Sequence, residues 1–100
     1  MNLYEALAEP HRRRIIEMVG ERERTAGEIV DALGISQPGV SKHLKVLREA
    51  ELVSVRKDAQ RRVYSLRPQK LAELDAWLAP YRRFWAGKLD ALSEHLMKEQ

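Results

Sequence analysis

The chain has 100 residues, room for one domain, and at 44% hydrophobic and 33% charged it can fill one core while carrying more charge than the roughly 25% of an average soluble domain. The absence of cysteine removes disulfides, thiolate metal sites and a cysteine nucleophile together. No apolar run approaches the roughly 18 residues of a membrane span, and Met1-Asn2-Leu3-Tyr4-Glu5 lacks the basic start and apolar stretch of a signal peptide, so a cytoplasmic protein without a membrane partner is expected.

The net charge of +3 is unevenly spread. Residues 1–35 carry 5 basic and 7 acidic side chains, residues 36–66 carry 7 and 3, and residues 67–100 carry 6 and 5. The positive charge therefore sits in the middle of the chain, the footprint of a nucleic-acid contact.

Leu3, Leu7 and Ala8 mark a short first helix. Pro10 suits the first turn of a second, where its missing N–H needs no partner; Ile15, Ile16, Met18 and Val19 form its apolar face, and Gly20 is expected to stop it. Thr25-Ala26-Gly27-Glu28 reads as a capping box for a third helix carrying Ile29, Val30 and Leu33. Gly34 can close that helix in a left-handed conformation, and Ser36 can cap the next, with Pro38 in its first turn. Val40, Leu44 and Leu47, spaced i, i+4, i+7, give the fourth helix (about 37–50) one buried stripe.

The period then changes. Leu52–Val55 and Val63–Leu66 read as two strands joined by the polar, basic segment Arg56-Lys57-Asp58-Ala59-Gln60-Arg61-Arg62. From Gln69 onward, Leu71, Leu74, Leu78, Tyr81, Trp85, Leu89, Leu92 and Leu96 step by three or four, predicting one long amphipathic helix or two broken near Pro80. The whole is mostly α with a small β-hairpin, about five helices in the order α-α-α-α-β-β-α.

Only three residues separate the third and fourth helices, the spacing of a helix-turn-helix whose second helix enters the major groove. With about 100° per residue, Leu44 and Leu47 fall within about 40° of Val40, whereas Pro38, Ser41, Lys42 and Lys45 lie on the far side. That outward face is small and polar, and its N-terminal end, Ser36 and Gln37, is where base edges are reached. Base reading would fall to Ser36, Gln37, Ser41 and Lys42; Lys42, Lys45, Arg56, Lys57, Arg61 and Arg62 would mostly meet phosphates. Thr25, Pro38 and His43 complete the candidate DNA-contacting set, His43 having as its plainer reading a boundary residue packed on the third helix.

The segment Ser36-Gln37-Pro38-Gly39-Val40-Ser41-Lys42-His43-Leu44-Lys45-Val46-Leu47-Arg48-Glu49-Ala50 resembles the recognition helix of ArsR-type bacterial transcriptional repressors. Ala8-Glu9-Pro10-His11-Arg12 and the strand Arg61-Arg62-Val63-Tyr64-Ser65-Leu66 share the resemblance, which spans nearly the whole chain. It implies a single winged helix-turn-helix domain over residues 1–100: helix-turn-helix at about 25–50, wing at about 52–66, dimerisation helix at about 69–97. It implies a homodimer that binds a double-stranded DNA operator and is released by an inducer or other signal. The sequence departs from the family at two places. Glu51 follows the fourth helix where many relatives have glycine, and the third helix, Glu28-Ile29-Val30-Asp31-Ala32-Leu33, lacks the cysteines of the metal-sensing members. The last helix holds Asp75, Asp90, Glu94, His95 and Glu99 but one histidine, so no metal or other cofactor is expected, and arsenite, cadmium and zinc are not expected to release DNA.

About 70 residues cannot cover the long apolar stripe together with Trp77, Tyr81, Phe84 and Trp85, which marks a partner surface. Leu3, Tyr4, Leu7, Leu74, Leu78, Tyr81, Trp85, Leu89 and Leu92 are the candidate dimer contacts. His11 reads as a surface or capping residue. No enzyme is expected: the glycines at 20, 27, 34, 39 and 87 are scattered rather than grouped into a phosphate loop, and Ser36, Ser41 and His43 share one helix and suit a cap and a DNA face better than a catalytic set. The alternatives are a winged-helix module that contacts protein or RNA, and a purely structural helical dimer.

Overall fold

The computed structural model describes residues 1–98; within it the side chains of Leu89, Asp90, Ala91, Ser93 and Lys98 lie outside what is described. Five α-helices, three strands and one 3-10 turn follow the chain: α1 (Leu3–Leu7), α2 (Pro10–Glu21), β1 (Arg24–Thr25), α3 (Ala26–Leu33), α4 (Gln37–Glu49), β2 (Val53–Asp58), β3 (Arg61–Leu66), the turn Pro68–Lys70 and α5 (Leu71–Lys98).

Local chemistry sets the helix ends. Asn2 caps α1 by accepting from Glu5 N–H. Thr25 Oγ1 accepts from Glu28 N–H at 3.2 Å while Glu28 Oε1 accepts from Thr25 N–H at 3.2 Å, so the expected capping box is complete. Gly34 closes α3 at φ 66, and Ser36 Oγ accepts from Gly39 N–H at 3.2 Å to open α4. Gly20 does not end α2, which runs on to Glu21; an exposed glycine inside a helix costs about 1 kcal/mol, too little to stop one whose Met18 and Val19 are already buried. At the end of α4, Glu51 takes φ 61, the left-handed position that glycine fills with least strain.

The hairpin turns through Ala59 and Gln60, with Asp58 paired to Arg61 and Ala59 at φ 57, the twist a two-residue loop demands. β1 pairs with β3 (Arg24 with Tyr64, Thr25 with Val63), giving a three-stranded antiparallel sheet in the order β1-β3-β2. Two residues are too few to show alternation, so the sequence pattern holds only the hairpin.

Ile15, Ile29, Val40, Leu47, Leu52 and Val53 are the largest fully buried side chains, and they hold α2, α3, α4 and the root of the wing in one core. Leu3, only 5% exposed, belongs to this core and not to an outer face, because α1 lies flat on α2 and turns that residue inward. Leu7, Leu71 and Leu74 are half-buried against the same core.

The helix α5 is continuous through Pro80 rather than broken there. At 28 residues it is about 42 Å long, which accounts for most of the 60 Å length of a molecule otherwise 28 by 21 Å. Only its first turns touch the core. Beyond them Trp77 (57% exposed), Tyr81, Phe84 (58%), Trp85, Leu92 and Leu96 lie open. Tyr4 adds an edge-on contact with Trp77, and Trp77 stacks obliquely on Tyr81.

Candidate nucleic-acid interface

The geometry of α4 follows from its burial pattern. Val40, Leu44 and Leu47 are buried, so rotation about the axis is fixed and Gln37, Pro38, Ser41, Lys42 and Lys45 are turned to solvent. The helix is held at its start by Ser36 and across its length by α2, α3 and β2. Helix orientation is thus set by apolar contacts on one side, leaving the other free of structural duty.

Between α3, α4 and β3 runs a groove of about 380 Å³ lined by Ala26, Gly27, Asp31, Gln37, Ser41, Arg62 and Tyr64 among others. It continues past Lys45 and Arg48 to the wing, where Arg56 and Lys57 flank Arg62. Arg62 lies on each of these hollows and also on one with Thr25, Gln60 and Arg61. Among the described residues Lys42, Lys45, Lys57 and Arg62 make no ion pair. Arg56, by contrast, is held by Glu23 at 2.7 Å, and Arg61 by Asp58 at 3.4 Å.

Not every expected contact residue faces this groove freely. Thr25 lines an adjoining hollow and Ser36 is exposed at the start of α4, but their hydroxyls accept the capping N–H groups of α3 and α4. His43 turns the other way. Its ring stacks on His11 at 5.5 Å, its Nδ1 lies 3.7 Å from Glu9 Oε2, and its side chain is 19% exposed, so it packs against the start of α2 rather than facing the groove. Burial holds the His43 pKa below the ordinary histidine value; Glu9 opposes that shift, and the charge of Arg12 adds to it.

Arg48 was missed in the sequence reading. It lies within about 20° of Ser41 on the helical wheel and shares the hollow of Ser41, Lys45 and Arg62, so its position on the wheel was the available signal. On α5, Leu78 is half-buried and Tyr81, Trp85 and Leu92 are exposed, as is Tyr4 on α1; the Leu89 side chain lies outside the described residues, as do those of Asp90 and Glu99.

No helix among the described residues is long and apolar enough to cross a membrane. Residues 7–56 match the family model described as a helix-turn-helix domain. The chain is 40% identical to the HTH-type transcriptional regulator Rv2034 of Mycobacterium tuberculosis over 96 residues, covering 96% of this chain and 87% of that one. It is 34% identical to the transcriptional repressor SdpR of Bacillus subtilis over 77 residues, covering 77% and 86%. Among solved structures, a possible transcriptional regulator for arsenical resistance superposes with a TM-score of 0.69 at 41% identity over 88% of each chain. The ArsR family transcriptional regulator RHA00566 has the same fold, with a TM-score of 0.73 at 23% identity over 83% of this chain and 86% of that one. A capped helix-turn-helix, a basic wing and these relatives together make the chain a DNA-binding transcriptional regulator of the ArsR family.

Proposed function

We propose that the protein acts in the cytoplasm as a homodimeric repressor on an inverted-repeat operator, binding DNA and catalysing nothing. The outward face of α4 enters the major groove: Gln37, Ser41 and Lys42 read base edges, and Ser36 and Pro38 bring the helix N-terminus, with its favourable dipole, up to the backbone. Lys45, Arg48, Lys57, Arg61 and Arg62 meet phosphates, joined by Arg56 once it leaves Glu23. The stripe formed by half-buried Leu78 and exposed Tyr81, Trp85 and Leu92 of α5, with Tyr4 beside it, packs against the same stripe of a second chain.

The observation that carries this reading is the burial of α4: its apolar stripe is consumed by the core, while its polar face and the unpaired Arg62 open on one groove. Selection of bound sequences from random duplexes tests it. The expected outcome is an inverted repeat with half-sites about one helical turn apart. Binding without sequence preference, or a single unrepeated site, would contradict it.

A further inference from the structure

Behind α4, on the side away from Ser41 and Lys45, side chains from two elements converge. Glu9 ends the loop before α2 and is fixed there as its N-cap, Oε2 accepting from Arg12 N–H at 3.0 Å. His11 follows in the first turn of α2, its Nδ1 2.8 Å from Glu9 Oε1. His43 comes across from α4 and stacks on His11 with 21° between the rings. One ligand atom from each of the three residues lies within 4.8 Å of the others.

We propose that Glu9, His11 and His43 form a binding site for one divalent transition-metal ion of the zinc, cobalt and nickel class. Two imidazoles and a carboxylate are the donors these borderline ions take, with the remaining positions left to water. An ion with bonds of about 2.1 Å needs its ligand atoms about 3.0–3.4 Å apart. Glu9 Oε1 lies 2.8 Å from His11 Nδ1 and Glu9 Oε2 lies 3.7 Å from His43 Nδ1, so each ring already meets one carboxylate oxygen and side-chain rotation must draw one donor from each residue around a common centre. Arg12 Nη1 donates to His43 Nδ1 at 3.4 Å, so that nitrogen carries a lone pair, which the guanidinium must give up before an ion can take it. Burial disfavours the Glu9 carboxylate, yet the hydrogen bonds from His11 Nδ1–H and Arg12 N–H hold its pKa below the ordinary value, and an ion that takes His11 Nδ1 must first displace that proton.

Arg12 is the opposing influence. Its guanidinium is anchored on the carbonyls of Ala6 at 2.7 Å and Glu5 at 3.2 Å, at the rim of the site, and its charge repels an incoming cation. Binding is therefore weaker than at a structural zinc site. The site lies on neither of the helices to which the family resemblance points for metal, α3 and α5. It joins the start of α2 to the middle of α4, so the ion braces α4 from behind and leaves its outward face uncovered.

The test is calorimetric titration of the tag-free, chelator-treated full chain with zinc, with cobalt as a spectroscopic probe of imidazole coordination. One ion per chain is expected to bind at pH 7.5 and to bind more weakly at pH 5.5, because protons compete with the ion for the imidazole nitrogens. His11→Ala, at a half-exposed ring outside the hydrophobic core, is expected to weaken binding by about tenfold or more. Glu9→Gln keeps an oxygen for the cap and should weaken it comparably. His95→Ala is the control and should leave affinity unchanged. The same ion should raise the melting temperature of the wild type and not that of His11→Ala. Absence of saturable binding at submillimolar zinc would overturn the proposal. So would affinity that His11→Ala leaves within twofold, or affinity that His95→Ala removes.

Discussion

The helices α4 and α5 are both amphipathic, and the chain treats them oppositely. In α4 the apolar stripe is consumed, with Leu47 fully buried, and what remains outside is small, polar and basic. In α5 only the first turns reach the core, and four aromatic rings stay open along the rest. The difference shows what each helix has left to offer. A helix whose apolar face is satisfied within the chain can present a polar face to a polar partner such as DNA. A helix whose apolar face is unsatisfied asks for an apolar partner, and desolvating those rings is worth more than any rim charge.

The largest effects come from removing buried volume on each helix and asking whose stability falls. Leu47→Ala should destabilise the fold by about 2–5 kcal/mol, with a midpoint in denaturant that does not move with protein concentration. Leu92→Ala, the same chemistry on α5, should act only through association: the loss should shrink as protein concentration rises. Trp85→Asp carries the contrast further, since a charge placed in an apolar interface has no partner there. Sedimentation should show dimer for the wild type and monomer for Trp85→Asp, with the helical content of the body retained. A wild type that is monomeric at micromolar concentration would dissolve the contrast.

How much of this was legible in the sequence differs along the chain for physical reasons. Helix ends written in side-chain chemistry could be read: Thr25 with Glu28, Gly34, and Ser36 with Gly39 all cap as expected. The hairpin could be read because β-branched runs alternate over several residues on each side of a polar turn. β1 could not, since a two-residue strand exists only through its partner. Nor could the inward turn of Leu3, because five residues of helix are too few to fix a face. Pro80 left the last helix ambiguous, and only the fold shows that one lost hydrogen bond does not break it. On the candidate site, the outward face of α4 followed from the wheel, Arg48 was within reach of the same wheel, and the meeting of His43 with Glu9 and His11 was not: it joins residues more than thirty positions apart across a corner of the fold.

A middle-sized effect separates reading from holding within α4 itself. Gln37→Ala should cost about 1–3 kcal/mol at one base position of the operator and relax preference there, with little change on a scrambled duplex. Competition titrations against single-base variants of the operator measure it directly. An equal loss on operator and scrambled duplex would move Gln37 from the base edges to the backbone. The association state should be the same as wild type, since Gln37 is exposed and lies outside the α5 stripe.

The smallest effect distinguishes two wing arginines that composition treats as equal. Arg62 makes no ion pair among the described residues and sits on the groove between α4 and the wing, ready to meet a phosphate. Arg56 must first leave Glu23, 2.7 Å away, so part of its attraction to DNA is spent on breaking that pair. Each phosphate contact releases about one counterion, so Arg62→Ala should lower the slope of log affinity against log salt by about one unit, on operator and scrambled duplex alike. Arg56→Ala should lower affinity less at low salt. The pair is exposed, and such pairs are worth only about 0–1 kcal/mol, which sets the size of the gap. Glu23→Gln then sharpens the point: it frees Arg56 and should raise affinity for any duplex, and in that background Arg56→Ala should cost as much as Arg62→Ala. Titrations of the four variants across a salt series decide it. If Arg56→Ala and Arg62→Ala are equal in the wild-type background and Glu23→Gln changes nothing, the ion pair does not restrain the wing in solution. If instead Arg62→Ala alters base preference, the wing reads sequence, and the division between a reading α4 and a clamping wing is wrong.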